Sequence, residues 1–219
     1  MLPVLWRTDQ AVAINKPAGL STQAPNAGES VEGRLRVQLD LRSDYLAFPH
    51  RLDRPVSGVL LAALSKKAAR LLSQQFATRK TEKIYEAIVV GKLVVKQEEI
   101  WTDFLRKVAD KPWVEICGED DAGAKLSRTI VEAVSYDQDT DRTHLRLRPI
   151  TGRMHQLRVQ TASRGHAILG DRIYGPQDEQ AGTQDCDESQ IKLHARKLAF
   201  HDPATGRRLL VEAACPWKS

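Results

Sequence analysis

Apolar residues along the chain fall in short runs that predict strands more often than helices. The run GVLLAAL at 58–64 is continuously apolar after a glycine, which is typical of a strand buried on both faces. KIYEAIVVGK at 83–92 is rich in β-branched and aromatic residues and predicts a strand that ends at Gly91. A further short strand is predicted in AVAINK at 11–16, before the turn residues of PAG.

The second half of the chain contains patterns of two hairpins. SRTIVEAVSY at 127–136 and THLRLRPI at 143–150 alternate between apolar and polar residues, and DQDTD supplies the turn between them. ARKLAFHDPATGRRLLVEA at 195–213 predicts a second hairpin with DPATG as its turn. Residues 94–126 are mostly polar and turn-like, with one strand predicted near 113–117.

Three segments have the spacing of amphipathic helices. In SVEGRLRVQLDL at 30–41 the apolar residues recur every four positions, and Ser30 can cap the first turn. SKKAARLLSQQFATRK at 65–80 has the same character, with Ser65 as its cap. TGRMHQLRVQTASRG predicts a third helix, which follows Thr151 and stops at Gly165.

The order of these elements lacks the regular strand–helix alternation of a doubly wound fold. The sequence therefore predicts an α+β fold with a mixed, mainly antiparallel sheet. Segment 177–190 is polar and acidic and predicts a loop that packs little.

Composition narrows the class of protein. Among 219 residues, 42% are hydrophobic and 28% are charged, which are ordinary values for a soluble globular protein. The N-terminus lacks a secretory signal pattern, and the three scattered cysteines (Cys117, Cys186 and Cys215) predict a reducing, cytoplasmic environment. Phosphate-loop, serine-hydrolase and zinc-protease motifs are all missing, and the six histidines lack metal-ligand pairing, so we expect neither a metal nor a cofactor.

The charge favours a polyanionic partner such as nucleic acid. The formal net charge is +5 and the pI is about 9.2. Basic residues form two clusters, although each cluster alone is more often a solvated face. The first contains Lys66, Lys67, Arg70, Arg79, Lys80 and Lys83, and the second contains Arg142, Arg146, Arg148, Arg153, Arg158 and Arg164.

HRLDRPVSG at 50–58 places one carboxylate, Asp53, among three basic side chains: His50, Arg51 and Arg54. A carboxylate at the end of a loop that leads into a buried strand is well placed to act as a nucleophile. The surrounding positive charges favour its ionised form. On these residues alone, a structural salt bridge is the commoner explanation.

Two further segments contain candidate site residues. Tyr85 lies within an apolar strand, where a tyrosine is usually part of the core but can also stack on a base or transfer a proton. Arg153 and His155 fall near the predicted start of the third helix, where backbone amides attract phosphate. A semi-buried Arg158 would require an anionic partner, for which Asp53 is a candidate.

Taken together, five segments resemble the RluA-type pseudouridine synthases, which modify ribosomal and transfer RNA. The five occur in the family's order and span almost the whole chain: INKPAGL, HRLDRPVSG, KIYEAIVVGK, TGRMHQLRVQTASRGHAILGDRIYG and KLHARKLAFHDPATGRRLLVEA. The resemblance implies a mixed sheet flanked by helices, with the active site in a central cleft between two lobes of one catalytic domain, 1–219.

The resemblance also implies the roles of individual residues. Asp53 would be the nucleophile, and Tyr85 would pack on the target base and take the proton from its carbon 5. Arg158 would form a salt bridge with Asp53, and Arg51 would occupy the gap left by the flipped nucleotide. His50, Arg54, Arg153 and His155 would contact the RNA, and the protein would act as a monomer.

The chain departs from the family pattern at two positions. Val56 stands where the family usually has Thr, and Gln160 replaces a usual His. Because the chain begins almost directly at the catalytic segments, we expect it to lack the N-terminal S4-like RNA-binding domain of some relatives. Substrate choice would then depend on the catalytic domain itself.

Two other functions fit parts of the pattern. A non-catalytic RNA-binding protein could keep the same fold, and Val56 and Gln160 are its support in the sequence. A glycosidase or nucleosidase could also use a single Asp nucleophile, but such enzymes usually need a second carboxylate as the acid. The segments around Asp53 contain arginines instead.

Overall fold

The computed structural model describes residues 1–24, 29–41, 45–95, 97–175 and 190–217. Its strands are β1 (Val4–Arg7), β2 (Ala11–Lys16), β3 (Ser57–Ala63), β4 (Glu82–Val90), β5 (Glu99–Lys107), β6 (Val114–Cys117), β7 (Lys125–Asp137), β8 (Arg142–Pro149), β9 (Leu193–His201) and β10 (Arg208–Glu212). Its helices are α1 (Val31–Gln38), α2 (Lys66–Ala77) and α3 (Gln156–Ala162).

The chain forms two compact units. The first unit contains Met1–Lys83 and His194–Lys218. Its strands pair in the order β1-β2-β3-β9-β10, with antiparallel pairing throughout except for a short parallel contact between β3 and β9. Every residue of β3 is buried, as its continuous apolar run predicts. The loop that contains Asp53 enters this central strand directly.

The core of the first unit lies between its sheet and α2. Ala68 and Leu72 on the inner face of α2 pack with Leu61 of β3 and Phe200 of β9. The ring of Trp6 meets Phe200 edge-on, with 5.4 Å between their centroids. Burial of this apolar face stabilises α2 more than helix propensity does.

The second unit contains Ile84–Leu193. Its strands pair antiparallel in the order β4-β8-β7-β5-β6, and α3 packs against the β5–β6 side. Val159 of α3 meets Leu105 of β5 and Val114 of β6 in a small apolar cluster. The short helix is therefore held by the sheet rather than by its own length.

Most of the predicted elements are confirmed. The α+β class, the mainly antiparallel mixed sheet, both hairpins, α1 and α2 are all present, and Ser30 and Ser65 accept backbone N–H groups as N-caps. The predicted acidic loop 177–190 lies outside the described residues, apart from Gln190.

Two predictions were wrong in detail. Residues 94–126 contain the nine-residue strand β5, which polar side chains at most of its positions made hard to recognise. The third helix begins at Gln156 rather than soon after Thr151. His155 has a left-handed backbone, with φ of +51°, so the helix cannot extend through it.

Candidate active site

The loop that contains Asp53 is anchored by its apolar neighbours. Leu52 and Val56 are buried, whereas Arg51 and Arg54 are exposed and Asp53 is half-buried. The N–H of Val56 donates to the carbonyl of Asp53 over 3.1 Å and closes a turn. This arrangement presents the carboxylate from a loop that is fixed on both sides. Val56 is thus a packing residue.

The buried side chain of Lys16 holds this loop through hydrogen bonds to backbone carbonyls. Its side chain is fully buried, and its Nζ donates to the carbonyls of Pro17, Leu20 and Arg54 at 2.9, 2.7 and 3.1 Å. Burial lowers the pKa of Lys16 to about 8, and the negative charge of Asp53 acts in the opposite direction. The ammonium therefore ties the end of β2 to the Asp53 loop.

Arg54 and Gly19 form a second tie between the same segments. The N–H of Gly19 donates to the carbonyl of Arg54, and the Nε of Arg54 donates to the carbonyl of Gly19, each over 2.9 Å. Gly19 has a φ of +82°, which favours glycine at this turn. Thr22 adds a bond from its hydroxyl to the carbonyl of Leu52, at 3.1 Å.

The strand after the loop lies very close to β9. A Cβ added to Gly58 would lie 2.3 Å from the carbonyl oxygen of Ala195, so only glycine fits. Beside it, the hydroxyl of Ser57 lies 2.8 Å from Nδ1 of His194, whose Nε2 lies 3.3 Å from the carbonyl of Ala213. Both side chains are buried, so this chain of hydrogen bonds fixes the strand that follows Asp53.

His50 has a structural contact on each side of its ring. Its Nε2 accepts the N–H of Leu61 over 3.0 Å, and the ring stacks on Phe76 with 4.6 Å between centroids. Burial, together with the positive charge of Lys83, lowers the pKa of His50 to about 3. The imidazole is therefore neutral near pH 7 and braces the loop. Its contact with RNA stays a prediction, as do those of Arg51 and Arg54.

Lys83, near the end of the first unit, has a lowered pKa. Burial lowers its pKa to about 8, and the nearby positive charge of Arg79 acts in the same direction. Lys83 and Arg79, two members of the first basic cluster, are therefore close enough to repel each other.

Tyr85 lies on β4 in the second unit, opposite Leu147 of β8. Its neighbours at alternate positions, Ala87 and Val89, are fully buried, whereas Tyr85 itself is only half-buried. The ring is thus placed where the buried face of β4 becomes accessible. This position agrees with the expected stacking on a base, which stays a prediction.

Arg158 is the most buried of the candidate site residues. Its side chain is 3% exposed, and its Nε and Nη2 donate to Oδ2 and Oδ1 of Asp171, each over 2.7 Å. Sequence reasoning named only Asp53 as the anionic partner and missed Asp171. The predicted contact of Arg158 with Asp53 stays a prediction.

Arg153 and His155 precede α3. The Nε of Arg153 donates to the carbonyl of Leu126 over 3.0 Å, and its side chain is otherwise exposed. The Nδ1 of His155 lies 3.0 Å from the hydroxyl of Tyr174. Because the helix begins only at Gln156, both residues lie in the preceding loop rather than in the first helical turn. Their contacts with RNA stay a prediction.

Gln160, the second departure from the family pattern, is fully buried. Its Oε1 accepts the hydroxyl of Thr129 over 2.7 Å, and its Nε2 donates to Asp103 over 2.6 Å. Asp103 also pairs with Arg164, whose guanidinium lies 4.4 Å from the ring centroid of Trp101. Gln160 therefore fastens α3 to β5 and β7.

Apart from Tyr85 on β4, the predicted site residues fall into two groups. The Asp53 loop brings together His50, Arg51 and Arg54 over Lys16, and the start of α3 brings together Arg153, His155 and Arg158 with Asp171. Lys16 and Asp171 were missed. GDRIYG does contain a turn signal at Asp171, but a turn signal does not identify which arginine the carboxylate binds.

In the part of the chain that the structure describes, no His, Cys, Asp and Glu side chains form a group of three or more that could hold a metal ion. Within the same residues, none of the helices combines the length and apolar character needed to cross a membrane.

Comparison with known proteins identifies the class. The family model described as RNA pseudouridylate synthase matches residues 10–163. The chain belongs to this family and is an RNA pseudouridine synthase, which is an isomerase.

Curated relatives place it among the RluA-type enzymes. It is 34% identical over 219 residues to the dual-specificity RNA pseudouridine synthase RluA of Escherichia coli K12, covering 97% of this chain and 92% of that protein. The RluA of Pasteurella multocida is 35% identical over 205 residues, with 93% and 89% covered. That of Vibrio parahaemolyticus is 33% identical over 207 residues, with 91% and 78% covered.

Solved structures agree with the fold. Human RNA pseudouridylate synthase domain containing 1 superposes with a TM-score of 0.80 at 24% identity, covering 99% of this chain and 84% of that one. Human RNA pseudouridylate synthase domain containing 4 gives 0.77 at 22% identity, with 98% and 88% covered.

Proposed function

We propose that the protein isomerises specific uridines in ribosomal or transfer RNA, with Asp53 as the nucleophile. The observation that supports this most directly is the half-buried carboxylate of Asp53 on a loop held by Lys16, Thr22 and Gly19. A nucleophile that is held in place loses little entropy when it meets the reacting atom. The relatives named dual-specificity RNA pseudouridine synthases support RNA as the substrate, with more than one kind of target.

The proposed reaction moves one bond of the nucleoside. The bond between uracil N1 and the ribose C1′ breaks, the base rotates, and C5 bonds to C1′. C5 then loses its proton and N1 gains one. In the first route Asp53 attacks C1′ as N1 leaves, and the resulting ester bond breaks when C5 attacks C1′. In the second route Asp53 assists elimination at C1′. In the third route Asp53 attacks C6 of the ring, and this bond breaks again before the product leaves. No external energy source is required, because the product is another stable nucleoside with the same atoms as the substrate.

The other residues act on this reaction as the family resemblance implies. Tyr85 packs on the base and takes the proton from C5, and Arg158 balances the charge of Asp53. Arg51 fills the space that the flipped nucleotide leaves. RNA is held by His50, Arg54, Arg153 and His155.

The cellular location, oligomeric state and domain organisation complete the proposal. We propose that the chain works in the cytoplasm as a monomer, and that residues 1–219 act as one catalytic domain with two lobes around the cleft.

The test compares pseudouridine formation by the wild type and by Asp53→Asn on transcribed ribosomal and transfer RNA, with chemical mapping of each position. We expect specific sites with the wild type and none with Asp53→Asn. Asp110→Asn, in an exposed turn, is the matched control and should keep full activity. Equal modification by wild type and Asp53→Asn would remove Asp53 as the nucleophile.

No observation favours the non-catalytic alternative. Its support was the pair of departures at Val56 and Gln160, and both side chains are buried packing residues. If wild-type protein bound RNA but modified no uridine in either class of RNA, the proposed substrates would be wrong.

A further inference from the structure

The ion pair between Arg158 and Asp171 is the most deeply buried one in the described residues. The side chains are 3% and 0% exposed, and two parallel hydrogen bonds of 2.7 Å join them. This fork-to-fork geometry fixes the plane and direction of a guanidinium, which a single contact would not do.

Stability alone does not explain such a pair. Removing two charges from water costs several kcal/mol. A protein with apolar residues of similar volume in place of a buried ion pair is often at least as stable. A buried ion pair joined by two hydrogen bonds therefore suggests that the orientation of one partner matters for function. The carboxylate of Asp171 only accepts hydrogen bonds, whereas the guanidinium of Arg158 has five N–H donors. Arg158 is therefore the partner that can donate to a further group.

Asp171 is itself held rigidly by a tight turn. Its Oδ1 also accepts the backbone N–H groups of Ile173 and Tyr174, at 2.9 and 3.1 Å. Its carbonyl accepts the N–H of Gly175 over 2.9 Å, and a Cβ on Gly175 would lie 2.4 Å from that oxygen. The carboxylate is thus a fixed reference point for Arg158.

Tyr174 of the same turn adds a second support. Its ring centroid lies 5.3 Å from the guanidinium carbon of Arg158. Its hydroxyl accepts the N–H of Val114 over 2.9 Å and bonds Nδ1 of His155 over 3.0 Å. The ring therefore cannot swing away while β6 and the loop before α3 hold its hydroxyl.

We propose that Asp171 is the residue that positions Arg158 for catalysis, with Tyr174 as a secondary support. Asp171 does not touch the reacting atoms; it holds the guanidinium so that its outer donors meet the catalytic carboxylate in one orientation. This inference rests on the proposed function, in which Arg158 balances the charge of Asp53. It adds that the GDRIYG turn belongs to the catalytic machinery.

The expected effect is on the chemical step rather than on RNA binding. Small displacements of a positioned group can reduce a rate by about 10- to 100-fold. We expect Asp171→Asn to slow single-turnover pseudouridine formation by at least about tenfold. The dissociation constant for RNA should stay within about twofold, because the fully buried side chain of Asp171 has no surface to offer to a phosphate.

The chain offers a matched control in its other unit. Asp202 is also a buried aspartate at the head of a turn, where it accepts the N–H of Ala204 and the hydroxyl of Thr205 at 2.9 and 2.8 Å. Asp202→Asn keeps a comparable turn but has no ion pair to lose. Its single-turnover rate should match that of the wild type.

A double-mutant cycle with Arg158→Lys separates positioning from a general structural role. Lysine cannot form the bidentate contact. If Asp171 acts through Arg158, adding Asp171→Asn to Arg158→Lys should slow the reaction little further. Rate losses that multiply would overturn the proposal, and so would a wild-type rate in Asp171→Asn alone.

Asp171→Glu is the second variant if Asp171→Asn does not fold. It keeps the charge but moves the carboxylate by one methylene, so we expect a slower rate with unchanged RNA binding. A wild-type rate in a folded Asp171→Glu would equally overturn the proposal. Failure of this inference is distinct from failure of the proposed function, because the latter requires that wild-type protein itself makes no pseudouridine or that Asp53→Asn remains active.

Discussion

The Nζ of Lys16 lies 3.1 Å from the carbonyl oxygen of Arg54, so a buried ammonium at the end of β2 holds the residue that follows Asp53. Two further carbonyls, of Pro17 and Leu20, accept from the same group. The segment INKPAGL, which the sequence predicts as a strand followed by a turn, thus also supports the Asp53 loop.

Lys16→Met should lower both stability and activity. The substitution keeps much of the apolar stem but leaves the carbonyls of Pro17 and Leu20 without this donor. The carbonyl of Arg54 keeps the N–H of Gly19. Each carbonyl that loses its donor and that water does not reach costs about 1–3 kcal/mol. We expect the free energy of unfolding, measured with urea, to fall by about 3 kcal/mol. Lys67→Met, on the exposed face of α2, should change it by less than about 0.5 kcal/mol. Equal effects of the two substitutions would contradict this role for Lys16.

His50→Gln should change how stability depends on pH. The pKa of His50 is lowered to about 3 in the folded protein, against 6.5 in the unfolded chain. Between those values only the unfolded state binds the proton, so stability is lost as pH falls through this window. Wild type should lose up to about 3 kcal/mol more than His50→Gln between pH 6.5 and pH 4. Urea denaturation at several pH values checks this, and parallel curves for the two proteins would contradict it.

Gly58→Ala should destabilise the first unit strongly. The added methyl group would lie 2.3 Å from the carbonyl oxygen of Ala195, and the φ of +116° is unfavourable for any residue with a Cβ. We expect a loss of more than about 3 kcal/mol in thermal or urea unfolding. Gly206→Ala is the control, because its φ is also positive, at +71°, but no atom lies within 4 Å of the added group. It should lose only about 1 kcal/mol. Similar losses would mean that crowding at Ala195 is relieved by movement.

Lys66→Glu should stabilise α2 while weakening RNA binding. The first turn of α2 contains lysines and no acidic residue, although a helix N-terminus favours negative charge by about 0.5 kcal/mol. Lys80→Glu makes the same change of charge just beyond the C-terminal end, where no such gain is expected. If the basic cluster contacts phosphates, both variants should bind RNA less tightly and with a shallower dependence on salt. Unchanged affinity and salt dependence would indicate that the cluster is only a solvated face.

The sequence predicted the elements whose patterns are local. β3 and β4 were recognisable because apolar and β-branched runs report burial directly, and Ser30 and Ser65 identified the starts of two helices. β5 escaped notice because only Trp101 and Leu105 are buried in its nine residues. Its position is set by pairing with β7, which no local pattern expresses.

In the candidate site, too, local patterns were predictable from the sequence, whereas contacts between distant residues were not. Asp53 and Tyr85 were predicted as site residues because they lie within segments that resemble a family. The burial of Lys16 and its three carbonyl partners depends instead on residues brought together by folding. Arg158 clearly needed an acid, but several carboxylates in the chain could have supplied one. Only the structure identifies Asp171 as a partner.

The N-cap residue of α3, His155, makes no capping hydrogen bond with its side chain. The first residue of the helix, Gln156, is instead held by contacts with the sheet. Its Oε1 accepts from Thr151 and from the N–H of Arg153, and its Nε2 donates to the carbonyl of Arg128 and the hydroxyl of Thr129. Because both ends of the amide are fully engaged, the side chain has a single orientation, and a glutamate of the same shape would lose both donors. The sheet, rather than the residue before the helix, therefore determines where α3 begins, and the loop of Arg153 and His155 has only one register against β7.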